Sequence, residues 1–118
     1  LMAAARRDFF LTVQHGQFYQ GKPVIGYDLP GFGDELCGLP YLPRLIAKAR
    51  AKLVGSMGDD IIYCCENDRR FFRDHGNIHP ADFLRVVWAA GDSDPKVYDY
   101  VRQRTLSVSS AVPDNEQT

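Results

Sequence analysis

The chain has 118 residues, 45% of them hydrophobic and 25% charged, with a formal net charge of -1. That size and balance describe one globular domain that can bury its own core without disulfides or metal. They exclude a global basic field that would steer the chain onto nucleic acid or an anionic membrane, and no apolar run approaches the ~20 residues of a membrane span.

Three cysteines are present, Cys37, Cys64 and Cys65, two of them adjacent. An odd, clustered set is not a disulfide framework, and it points to a reducing, cytoplasmic setting. The opening run LMAAARRDFFLTVQHG lacks the long apolar core of a secretory leader.

In chain order, Ala3 to His15 reads as a helix, with Phe9, Phe10 and Val13 on one face, although FFLTV also fits a short strand. Residues 17–33 are broken by Gly21, Pro23, Gly26, Pro30, Gly31 and Gly33 and read as loop. Phe18, Tyr19, Tyr27 and Phe32 are spread through that loop. Exposed aromatics forgo burial energy, so the segment is expected to lie on the domain or to act as an arm on a sister subunit.

A central helix follows, with Pro43 in its first turn and Leu42, Leu45, Ile46, Ala49 and Leu53 as its buried stripe. Gly55 ends it. After a glycine-flanked turn over 56–60, Ile61 to Tyr63 look extended. Asn67 is placed to cap a helix from Asp68 to His75, with Phe71 and Phe72 inward and Gly76 as its stop. Pro80 opens the next helix, whose Phe83, Leu84, Val87 and Trp88 form the clearest amphipathic set, and Gly91 closes it. Asp94 caps a last helix begun by Pro95, with Val97, Tyr98 and Val101 inward. Residues 107–118 read as a polar, disordered tail. The expected fold is mainly α: a compact bundle of four to five short helices over residues 1–106, with an irregular Gly/Pro/aromatic segment and at most one short strand pair.

Two constellations stand out between Leu36 and Gly76. Arg44, Lys48 and Lys52 recur every four residues and stack on one helix face, where like charges repel by a few tenths of a kcal/mol. An anionic ligand or acidic partner would relieve this, and so would a solvated face balanced by Asp59, Asp60 or Glu66. Tyr63, Cys65 and Asp68 sit beside a helix start, with His75 at the far end of that helix. A thiol near a helix N-terminus and cations can become nucleophilic, while a buried, inert cysteine with Asp68 serving the helix end is the plainer alternative. His15, His75 and His79 form no CxxC or HExxH pattern, so no metal is expected. No GxSxG occurs, and GFG at Gly31 to Gly33 is too short for a phosphate loop, so no cofactor is expected.

The run from Leu36 to about Val101 resembles a bacterial family known as domain of unknown function 5069. The resemblance rests on Gly38, Leu42, Pro43, Arg44, Lys48, Ala49, Arg50, Ala51, Gly55, Gly58, Tyr63, Cys65, Asp68, Arg70, Phe71 and Gly76 at fixed offsets. The chain departs from that pattern at Ala47, where the family carries an aspartate, at Glu66, where it carries proline, and by an extra residue before Tyr63. The resemblance implies no activity, but it shifts the basic set toward Arg44, Lys48 and Arg50.

Two functional readings follow. In the first, Arg44, Lys48 and Arg50 bind an anionic small molecule, and Tyr63, Cys65, Asp68 or His75 supply chemistry in a shared pocket. In the second, the basic face receives an acidic protein surface and the aromatic arm builds a homo-oligomer, with no catalysis. Neither reading involves nucleic acid or a membrane.

Overall fold

The computed structural model of the chain describes residues 1–116, with side chains through Ser107. Its elements are helix α1 (Met2–Thr12), strands β1 (Glu35–Leu36) and β2 (Leu39–Pro40), and helices α2 (Leu42–Val54), α3 (Glu66–Asp74), α4 (Pro80–Ala90) and α5 (Asp94–Glu116). The fold is mainly α, as periodicity implies. α5 runs on to Glu116, through most of the polar tail expected over 107–118, and residues 117–118 lie outside the described ones. No helix of the described residues is long and apolar enough to cross a membrane.

Helices α2 and α4 form the centre. α2 packs on α1, α4 and α5, and α4 packs on α1 and α5 as well. The predicted stripe of α2 is buried throughout: Leu42, Leu45, Ile46, Ala49 and Leu53 all face the core, meeting Phe83, Leu84 and Val87 from α4 and Val97 and Val101 from α5. Burying each of these larger side chains contributes roughly 1.5–3 kcal/mol. The caps follow the residue chemistry. Gly55 closes α2 at φ 79°, and His79 starts α4 by accepting the Ala81 N–H on Nδ1 at 3.0 Å.

The strand pair is a hairpin immediately before α2. Glu35 faces Pro40 and Leu36 faces Leu39, and the two-residue turn is Cys37–Gly38 with φ of 53° and 83°. Two positive φ values make the primed turn that matches strand twist. The hairpin delivers the chain to Tyr41, itself at φ 75°, which is the N-cap of α2.

Helix α3 begins earlier than the sequence suggests. Its N-cap is Cys65, not Asn67, because the Asp68 carboxylate reaches back and accepts the N–H groups of Cys64 and Cys65 at 2.9 and 3.4 Å. Residues 61–63 form no strand. Ile61 and Tyr63 are buried while Ile62 points outward, so they alternate like a strand without a ladder partner.

The loop over 17–33 is only partly laid down. Val24 makes a parallel bridge with Met57, its N–H reaching Ser56 O at 2.7 Å and its carbonyl accepting the Gly58 N–H. The Asp60 carboxylate accepts the Gly26 N–H at 2.8 Å. These anchors bury Leu29. The aromatics stay largely in solvent: Phe18 is 72% exposed, Tyr27 94% and Phe32 57%. Phe18 nonetheless lies 4.9 Å from the Phe10 ring of α1.

Candidate functional site

The arm, α2 and the start of α3 enclose a cleft of about 200 Å³. Its floor and walls include Arg44 and Lys48 from α2, Cys65 and Asn67 from α3, Tyr41 at the hairpin end, and Leu29 and Phe32 from the arm. Helical spacing explains two of these. Arg44 and Lys48 lie at i and i+4 and share one side of α2, while Tyr41 is the left-handed N-cap that the hairpin delivers to it.

Asp68 is the centre of the polar contacts. It is fully buried. Lys48 Nζ donates to both of its oxygens at 3.0 Å, and the Tyr41 hydroxyl donates to Oδ1. With the two N–H groups of Cys64 and Cys65, both carboxylate oxygens are fully used. A buried charge needs this degree of pairing, since an isolated one would not stay ionised in the interior. Lys48 is 5% exposed, and its remaining donor faces Cys65 Sγ at 3.4 Å. The polar chain therefore runs Tyr41, Asp68, Lys48, Cys65.

Arg44 stands on the cleft wall in a different state. Nη1 donates to Pro30 O at 3.0 Å, and the guanidinium lies 4.2 Å from the centre of the Phe32 ring. Its Nε is buried with no hydrogen-bond partner among the described residues. Phe32 is also 5.8 Å from the Tyr41 ring and lines a neighbouring hollow of about 220 Å³ with Arg70, Asp74 and His75.

Burial pushes the Tyr41 phenol well above its usual value, helped by the hydrogen bond to Asp68 and that carboxylate's charge. Burial raises Tyr63 in the same way, again with Asp68 nearby. Cys64 is raised chiefly by burial, with Arg69 pulling against it and Asp68 adding to it. Both phenols are thus held as neutral donors.

A model of the family described as Domain of unknown function (DUF5069) matches residues 33–112, more than half of the chain. The chain belongs to this family. No curated protein and no solved structure matches it. The DUF5069 match spans the hairpin, α2, α3 and α4, so it contains Tyr41, Arg44, Lys48, Cys65 and Asp68. The arm residues Leu29, Pro30 and Phe32 precede it.

Of the residues proposed from sequence, Arg44, Lys48, Cys65 and Asp68 are brought together. Arg50 is not among them: it pairs with Asp94 and donates to Gly91 O at 3.0 Å, joining α2 to the start of α5. Tyr63 is in the core, with its hydroxyl on Pro80 O at 2.8 Å. His75 stacks on Phe71 at 4.1 Å and its Nδ1 lies 2.8 Å from Phe71 O. Lys52 borders a separate hollow with Arg6. Tyr41 and Phe32 were absent from the proposed set. Tyr41 gives no local signal, because the hairpin and a left-handed N-cap set its place rather than helical spacing. Among the described residues, no group of three or more His, Cys, Asp or Glu side chains is placed to hold a metal ion.

Proposed function

We propose that the cleft binds a small anionic molecule and that Arg44 is its anchor. The observation that supports this reading is the Arg44 guanidinium on the wall of a cavity that also holds Lys48. A guanidinium pairs an oxyanion through charge-assisted hydrogen bonds worth about 1.5–3 kcal/mol each. Lys48 adds less attraction than its formal charge suggests, because Asp68 already balances it. Asp60 at the rim is engaged by the Gly26 N–H. The three free cysteines suit a reducing, cytoplasmic setting.

A thermal-shift screen of anionic metabolites against the wild type and Arg44→Ala tests this. A ligand at a hundred times its dissociation constant adds about 2.7 kcal/mol, which a melting curve resolves. A shift that disappears in Arg44→Ala supports the site. Shifts that persist unchanged in the variant remove Arg44 from it.

A second reading, an assembly module built through the arm, draws on the exposed Phe18 and Tyr27. Sedimentation over a concentration series tests it. A single monomeric species at all concentrations rules out self-association through these rings.

A further inference from the structure

We infer that Cys65 is the nucleophile of this cleft, accepting the acyl group of a small activated ester or thioester that carries a carboxylate. The inference rests on the reading of the cleft as an anion site and adds the chemistry done there.

Four observations converge on one sulfur. Cys65 lines the cavity, so a ligand in it can reach Sγ. Lys48 Nζ is 3.4 Å from Sγ. That ammonium is held by both oxygens of a fully buried carboxylate, so it cannot swing away as a surface lysine would. Cys65 is also the N-cap of a nine-residue helix, where the backbone contributes partial positive charge. The fixed Lys48 ammonium and the helix start favour the negative charge that sulfur carries as it attacks, offset in part by the Asp68 carboxylate, which pairs with Lys48 and accepts the Cys65 N–H. Arg44 on the same cavity wall gives the carboxylate its partner.

The neighbouring thiols lack this setting. Cys64 does not line the cleft. Cys37 is exposed at the hairpin turn, lines a separate hollow with His75 and Arg102, and serves as the comparison thiol outside this cleft.

The step is acyl transfer and uses no oxidant or reductant. Sγ forms a bond to the carbonyl carbon, and the bond from that carbon to the leaving oxygen or sulfur breaks. The proton given up by the thiol ends on the departing alcohol or thiol.

The test uses the full chain, p-nitrophenyl acetate and mono-p-nitrophenyl succinate, with release of nitrophenolate timed and the acylated cysteine located by mass spectrometry. Cys65 is expected to be acylated at least about tenfold faster than Cys37. It should favour the succinate probe, and Arg44→Ala should abolish that preference. Lys48→Gln should bring Cys65 down to the rate of Cys37. Should that variant not fold, the comparison of two thiols within the wild type still decides. Acylation of Cys65 no faster than Cys37 with either probe overturns the nucleophile, whatever the thermal-shift screen shows. Fast acylation without charge preference overturns the carboxylate-bearing substrate and the anchoring role of Arg44, and leaves the nucleophile standing.

Discussion

Lys48 and Asp68 are twenty residues apart in sequence and joined at 3.0 Å through both carboxylate oxygens, with side chains 6% and 0% exposed. This pair is the pin between α2 and the start of α3. Removing one partner strands the other as a buried charge. Lys48→Met or Asp68→Leu alone should each lower stability by about 3–5 kcal/mol, while the double variant should lose clearly less than the sum. Urea unfolding of the four proteins forms the cycle. Additive losses would mean that the two side chains act independently.

The half-buried Tyr41 phenol and the buried Tyr63 phenol predict alkaline sensitivity. Tyr41 and Tyr63 are held above their usual pKa of about 10, so the folded state keeps protons that the unfolded state releases. Their contribution is complete below pH about 10 and is lost as pH rises beyond it, with a slope of up to about 1.4 kcal/mol per pH unit for each group. Tyr63→Phe should lose about 1 kcal/mol at neutral pH from the bond to Pro80 O, and should show a shallower decline above pH about 10. Melting temperatures of wild type and variant across pH 8–11 check both parts.

Arg44 ties the arm to the body through Pro30 O and the Phe32 ring. Arg44→Ala should speed proteolytic cleavage within residues 24–33 several-fold, while global stability falls by only about 1–2 kcal/mol. Arg44→Lys should not restore protection, because an ammonium reproduces neither the planar contact with the ring nor the guanidinium fork. Limited proteolysis with mapped cut sites reads this directly.

Two glycines separate backbone strain from crowding. Gly76 has φ 93°, and an added Cβ would lie 2.6 Å from the carbonyl oxygen of Arg104, on the α5 backbone. Gly38 has φ 83° and open space around it. Gly38→Ala should cost only the left-handed penalty of about 1–2 kcal/mol. Gly76→Ala should cost at least about 1 kcal/mol more, since α5 must also move. Their denaturant midpoints give the comparison.

The helices were legible because each carries its own signal: a stripe such as Leu42, Leu45, Ile46, Ala49 and Leu53, a proline at the start of α4, a glycine at the end of α2. The cleft was legible in pieces. Lys48 and Asp68 were both singled out, but in separate groups. Their pairing depends on how α3 docks on α2, which no local spacing encodes. Lys48 was given a solvated surface as an alternative, and the structure instead buries it. Cys65 as cap was missed because Asn67 is the better capping residue by type, whereas the Asp68 carboxylate fixes the start two residues earlier. The arm differs in another way: its rings suggest coverage, and although Phe32 packs on Arg44, Phe18 and Tyr27 stay largely exposed while backbone contacts at Val24 and Gly26 share the anchoring.

The boundary of the family match runs through the cleft. Tyr41, Arg44, Lys48, Cys65 and Asp68 fall inside residues 33–112, and Leu29, Pro30 and Phe32 fall outside. The site is thus assembled from a family chassis and a separately supplied roof. A relative that kept the chassis but met it with a different preceding segment would retain the charged floor and thiol under a roof of another shape. Exchanging this segment alone would therefore reshape the cleft and leave the buried ion pair, and the stability it governs, untouched.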